Sequence, residues 1–333
     1  MKAWVVRSQG KPIRERIVLE NYPDPLPLEN DLLLKVNVCA LCRTDLHIVE
    51  GDIPAHKLPI IPGHQIVGRV VRVGEKVRNF HIGDRVGVPW LNSVDENCSF
   101  CLKGQENLCP NARFTGYDVD GGFAEYTLAK ENFAYLLPEG LDDIQIAPLL
   151  CGGVIGYRSF RFTGVSCGEK LGLYGFGSSA HIILQLALKK GIRVFVRSRG
   201  QEHLELAKKL GATWAGDYSA PLPEPLQAAI IFAPAGEIVP LALQDVDKGG
   251  KVILAGIHMS PIPSFPYYLI YEERLLQSVA NSTRADVREF LKEASACNLS
   301  PEVTTFAFEE LPLAMEELKS GQINGTAVIL IAS

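Results

Sequence analysis

The chain has 333 residues, 47% of them hydrophobic and 21% charged, enough to bury a sizeable core and too apolar for wholesale disorder. Its 33 basic and 38 acidic side chains leave a net charge of −5 with no basic block, which excludes the positive face that nucleic-acid binding requires. No run approaches the roughly 18 apolar residues of a membrane span, and the opening apolar stretch is too short for a signal peptide, so a two-domain cytoplasmic protein is expected.

In chain order, residues 1–150 read as an irregular, mostly β domain. Short β-type runs over 32–38, 66–73 and 85–88 lie between turn signals such as Val73-Gly74-Glu75 and Ile82-Gly83-Asp84. Three segments in this part carry chemistry: Cys42-Arg43-Thr44-Asp45-Leu46-His47, then Pro62-Gly63-His64-Gln65, then Leu150-Cys151-Gly152-Gly153. Two cysteines and a histidine make a three-ligand zinc set with an open fourth position, the catalytic type. Spacing alone does not bring them together, and a lone histidine after Pro-Gly is more often a packed turn residue. Between the second and third segments lies Asp95-x2-Cys98-x2-Cys101-x7-Cys109. In a chain without a leader, clustered cysteines point to metal rather than disulfides. Three thiolates can wrap one tetrahedral zinc, with Asp95 either a fourth, oxygen ligand or a solvated loop residue. No general base stands beside these thiols, so the lobe reads as structural.

From about residue 153 the texture changes to short apolar strands over 171–175, 193–196, 229–233 and 251–256, with helices over 179–190 and 201–210. That alternation predicts βαβ units and a doubly wound parallel sheet of the Rossmann type. Gly175-Phe176-Gly177-Ser178-Ser179-Ala180 follows the first strand and opens a helix. The first glycine suits the tight turn, the second lets a pyrophosphate approach the backbone, and small Ala180 permits helix–strand packing. An NAD site places a carboxylate about 20 residues further on. Here the second strand runs into Arg197-Ser198-Arg199-Gly200, with no carboxylate before Glu202. Two guanidinium groups and a hydroxyl would hold a 2′-phosphate, so NADP(H) is favoured and NAD(H) remains possible. The opposing reading leaves both arginines solvated at the surface. A helix over 286–296 and a strand over 326–331 are expected to return to the first domain.

The three dispersed segments, the cysteine lobe and the glycine-rich turn occur in the order seen in zinc-dependent medium-chain alcohol dehydrogenases. The resemblance runs over essentially the whole chain and includes Gly121-Gly122-Phe123-Ala124-Glu125-Tyr126 and Asn107-Leu108-Cys109-Pro110. It implies a GroES-like catalytic domain over 1–152 and 286–333, a Rossmann domain over 153–285, and an active site in the cleft between them. By the same resemblance Cys42, His64 and Cys151 bind the catalytic zinc, Asp45 orients His64, Thr44 and His47 relay the proton, and Arg43 lies beside the cofactor phosphates. Trp90 and Leu91 fall at the substrate-pocket wall. Ser198 and Arg199 resemble the Ser-Arg of NADP-dependent bacterial members, and Tyr218 falls where some of those place a tyrosine over the same phosphate. The implied enzyme interconverts a primary or secondary alcohol with its aldehyde or ketone, uses two zinc ions per chain, and assembles as a homo-dimer or homo-tetramer. A polyol or aldehyde reductase of the same family, or a non-catalytic dinucleotide-binding protein, are the alternatives. The chain departs from the pattern at Gln65, where the family commonly has glutamate, and at Asp95, which replaces a cysteine.

Overall fold

The structure, a computed structural model, describes residues 1–332 and divides into two compact units. The first comprises Met1–Cys151, Ser282–Ser295 and the chain from Glu302 onward. Its spine is the strand Asp31–Leu41, whose run of buried residues is nearly unbroken, as expected for a strand covered on both faces. On one side it pairs antiparallel with Thr326–Leu330, which pairs in turn with Val303–Ala307. On the other it pairs with Gln65–Val73, followed by Arg85–Val88 and Tyr135–Leu136. Tyr126–Lys130 also pairs with the spine. The C-terminal strand therefore sits in the sheet of the first 150 residues.

This sheet aligns the dispersed segments. Leu41 ends the spine, so Cys42 follows it directly and caps the helix Arg43–Glu50. Ala40 is in register with Gln65, the first residue of its strand, so His64 emerges beside Cys42. Gly63 makes the entry to that strand possible. Its φ of +98° is the left-handed region, and a Cβ would lie 2.9 Å from the Phe123 amide nitrogen. Cys151 ends the buried turn Ala147–Leu150, whose Leu150 side chain fills the space a side chain at Gly87 would need.

The second unit comprises Gly152–Asn281 and Ala296–Pro301. Its six parallel strands lie in the order Trp214–Gly216, Arg193–Arg197, Lys170–Tyr174, Leu226–Ile231, Val246–Leu254, Leu275–Ser278. Numbered along the chain this order is 3-2-1-4-5-6, and it reverses beside Lys170–Tyr174. Ligands of such sheets bind beyond the carboxyl ends of the strands at that switch point, which is where Gly175 stands. The helix after this turn spans Ser178–Lys189, one residue earlier than the pattern predicted.

Candidate active site

The donor atoms of Cys42, His64 and Cys151 lie within 4.8 Å of one another. Cys42 Sγ is 3.3 Å from His64 Nε2 and accepts the Thr44 amide at 3.3 Å, as part of a capping box at the helix start. Asp45 reaches back from that helix with no exposed surface. Its Oδ2 accepts the Cys42 amide at 2.9 Å, while Oδ1 takes the Gly63 amide at 3.1 Å and faces His64 Nδ1 at 3.0 Å. A carboxylate can only accept, so His64 carries its proton on Nδ1 and turns Nε2 toward the thiols. Without metal, the Cys151 thiol and the charge on His64 hold Cys42 well below the usual thiol range. Burial lowers His64, but the Asp45 carboxylate and Cys42 thiolate outweigh it and push it up to about 10. The hydrogen bond to Cys42, together with burial, pushes Cys151 well up. Two soft thiolates and an oriented imidazole fit zinc with a position left for a reactant oxygen.

The second cluster also closes. Asp95, Cys98, Cys101 and Cys109 bring one ligand atom each within 4.8 Å of the others. Asp95 Oδ1 accepts the amides of Cys98 and Asn97, and Oδ2 accepts Asn111 Nδ2 at 3.0 Å. The Cys98 amide and the Asn111 side chain, in that order, hold its carboxyl far below the ordinary range. Arg284, at the start of the helix Arg284–Ala296, clamps this lobe by ion pairs to Glu96 at 2.8 Å and Glu106 at 3.1 Å. Nothing in the lobe's own spacing signals a partner so distant in the chain.

Thr44 is buried at the first turn of the helix Arg43–Glu50 and His47 is half-buried one turn on, with Nδ1 2.9 Å from Asp52. Arg43 is exposed at the helix start. Trp90 meets the His64 ring edge-on at 4.8 Å and stacks on Phe114 at 5.0 Å and Tyr117 at 5.9 Å. The sequence singled out Trp90 but neither Phe114 nor Tyr117, the rings that stack on it. Leu91 is buried in the short ribbon Leu91–Ser93, paired with Arg113–Phe114. Gln65 is almost fully buried, and neither of its amide atoms has a hydrogen-bond partner among the described residues.

In the second unit, Gly175 turns at φ +85°, and a Cβ there would lie 2.8 Å from the Ala233 nitrogen. Gly177 precedes the helix with no side chain capping it, and a Cβ at that position would meet nothing within 4 Å. Ala180 is fully buried. The open approach to a helix N-terminus suits a pyrophosphate. Arg199 lies over the Tyr218 ring at 5.9 Å and pairs with Glu237 at 3.1 Å. Ser198 is buried, its hydroxyl 3.4 Å from His203 Nδ1. Arg197 overturns its reading as a phosphate ligand. It is buried and fully engaged with Asp245 at 2.9 Å and with the carbonyls of Asp217 and Ala220 at 2.9 and 2.7 Å. A guanidinium spent on holding the loop around Tyr218 is not available to a ligand.

Residues 28–139 match the alcohol dehydrogenase GroES-like domain, and residues 180–296 match the zinc-binding dehydrogenase domain. The chain is 43% identical to a probable alcohol dehydrogenase of Mycobacterium tuberculosis, over 99% of its own length and 97% of the relative's. An alcohol dehydrogenase of Geobacillus stearothermophilus is 36% identical, over 99% and 98% respectively. Among solved structures, a cinnamyl alcohol dehydrogenase from Sorghum bicolor superposes with a TM-score of 0.90 at 25% identity, covering 99% of this chain and 97% of that one. The matches cover both units, and the class they define is that of GroES-like, Rossmann-type zinc-binding dehydrogenases. Within it, the chain belongs to the zinc-dependent medium-chain alcohol dehydrogenase family and is an oxidoreductase acting as an alcohol dehydrogenase.

Proposed function

We propose that this enzyme interconverts small primary or secondary alcohols with their aldehydes or ketones, using two zinc ions per chain and a nicotinamide cofactor, with NADP(H) favoured over NAD(H). The observation that carries the reading is the convergence of Cys42, His64 and Cys151 around a histidine whose tautomer Asp45 sets. Zinc, when bound by these three, supplies Lewis-acid polarisation of an alcohol or carbonyl oxygen. Asp45 holds His64 in the ligating orientation, the Thr44 hydroxyl hands the alcohol proton on, and His47 takes it toward solvent. Trp90, braced by Phe114 and Tyr117, lines the space beside His64. Asp95, Cys98, Cys101 and Cys109 hold the structural ion.

The cofactor binds at Gly175, Gly177 and Ala180, with Arg43 beside its phosphates and Arg199, Ser198 and Tyr218 at the 2′-phosphate. The guanidinium over the Tyr218 ring supports that preference. Homo-dimers or homo-tetramers are supported by the edge strand Leu275–Ser278, beside which Tyr267, Tyr268 and Tyr271 are exposed. Eight free cysteines suit the reducing cytoplasm. A panel of alcohols, polyols and aldehydes with both cofactors tests the substrate class. Alanine at Cys42, His64 or Cys151 should abolish turnover while cofactor binding survives, and near-normal rates in any one variant would remove that residue from the metal.

A further inference from the structure

The helix Arg43–Glu50 ends on Gly51, which adopts the left-handed conformation at φ +86°. The amides of Gly51 and Ile53 both donate to the His47 carbonyl, at 3.0 and 3.4 Å. The chain thus folds back over the turn it has just left and brings Asp52 Oδ2 to 2.9 Å from His47 Nδ1. Helix-face neighbours are three or four residues apart, so this five-residue contact is a product of the cap. Gln9 pins the same turn, donating to the carbonyls of Ile48 at 2.7 Å and Ile53 at 2.8 Å and accepting the Ala55 amide at 2.9 Å. Glu50, the other carboxylate of the turn, pairs with Lys319 at 2.6 Å and Lys11 at 3.6 Å. Asp52 is therefore presented to His47 by backbone geometry rather than by a wandering loop.

We propose that Asp52 is a positioning residue for proton transfer, accepting the Nδ1–H of His47 and so reserving the Nε2 lone pair for the incoming proton. This rests on the reading that His47 takes the alcohol proton. A neutral imidazole carries one N–H and one lone pair, and a carboxylate can only accept. With Asp52 in place the proton must sit on Nδ1, and the basic nitrogen is Nε2. In oxidation the bound nicotinamide cofactor would accept the hydride from the alcohol carbon, while the hydroxyl proton would be taken up at the Thr44 oxygen as Thr44 gives its own proton on toward His47 Nε2. The imidazolium then loses one proton to solvent, and Asp52 stays ionised throughout. The carboxylate side chain is 48% exposed, so the pair contributes little to folding and its removal leaves the fold intact.

The test uses the zinc-loaded enzyme labelled with 15N-histidine, whose long-range proton–nitrogen spectra separate the two tautomers. The chain has seven histidines, and the signal lost in His47→Gln assigns His47. We expect Nδ1–H in the wild type and a shift toward Nε2–H in Asp52→Ala. Alcohol oxidation by Asp52→Ala should fall in kcat by about fivefold or more at unchanged KM, with partial recovery in imidazole buffer and in Asp52→Glu. An Nε2–H tautomer in the wild type, or an Asp52→Ala variant with wild-type tautomer and kcat, overturns the proposal. If His47→Gln is slow while Asp52→Ala is not, the relay stands and this proposal alone fails. Wild-type turnover in His47→Gln removes the relay reading and the proposal with it.

Discussion

Replacing Asp45 by asparagine removes one charge and one acceptor from beside the Cys42–His64–Cys151 cluster proposed to hold zinc, while leaving its shape unchanged. The carboxylate accepts three hydrogen bonds, from the amides of Cys42 and Gly63 and from His64 Nδ1, at 2.9, 3.1 and 3.0 Å. An asparagine oxygen can keep the two that fall on Oδ1. Its NH2 group then faces the Cys42 amide, donor against donor. A charge-assisted bond contributes about 1.5–3 kcal/mol, and the stranded Cys42 N–H costs about 1–3 kcal/mol more. Part of this is returned, because burial already pushes the Asp45 carboxyl up and a neutral amide escapes that cost. The net destabilisation expected for Asp45→Asn is about 2–4 kcal/mol. The effect on metal should be separate and larger in kind. His64 keeps only a neutral acceptor in place of the carboxylate, which weakens the hold on its tautomer and lowers its basicity as a ligand, and outer partners of this type typically contribute about 10–100-fold in metal affinity. Urea unfolding of the zinc-loaded protein reads the first effect, and competition with a calibrated chelator reads the second. A variant within about 0.5 kcal/mol of wild type, holding zinc within about threefold, would refute the assigned role of Asp45.

Much of this site was legible because its motifs are local, and what was missed depends on partners far along the chain. Cys42, Thr44, Asp45 and His47 fall within six residues, and Cys98, Cys101 and Cys109 within twelve. That Cys42 meets His64 was not contained in their spacing; the register of Ala40 with Gln65 sets it. Arg197 shows the opposite case. It stands where a phosphate ligand would, but its partner Asp245 lies 48 residues away, and no local pattern announces that pairing. Glu237 and Arg284 were invisible for the same reason. Among elements, the strand Trp214–Gly216 is too short for any periodicity, and Leu275–Ser278 is too exposed to show an apolar run. The helix Gly152–Thr163 was not expected, because it opens on two glycines, which are poor helix formers. Within it, a Cβ at Gly156 would come 2.5 Å from the Ile183 side chain, so that glycine serves close helix packing.

Zinc entering the catalytic cluster must displace the protons that His64 and Cys151 hold above neutrality, so two protons should be released per ion. Affinity should then rise with pH by about two orders of magnitude per unit near neutrality, as calorimetry in buffers of different ionisation enthalpy would measure; a pH-independent affinity refutes this. Arg284→Ala should loosen the cysteine lobe and release its ion to chelator sooner than the catalytic one. Glu106, pulled below its ordinary value of 4.5 by the Arg284 amide and guanidinium against the opposing effect of burial, has a depressed folded value. Its contribution is therefore fully present above pH 4.5 and lost as pH falls through that lower value, a loss that should be smaller, though not abolished, in the acid limb of the Arg284→Ala unfolding curve, because the amide of residue 284 still donates to Glu106. The proposed preference for NADP(H) is tested at the exposed pair Arg199–Glu237, in which the carboxylate occupies the guanidinium that a 2′-phosphate would take. Arg199→Ala should lower kcat/KM for NADPH by about tenfold with little change for NADH, whereas Glu237→Gln should free Arg199 and raise it. Because Arg197 braces the Tyr218 loop rather than the phosphate, Arg197→Lys should weaken both cofactors together. If the NADPH-to-NADH ratio moves with Arg197 and not with Arg199, the assignment of the two arginines is reversed.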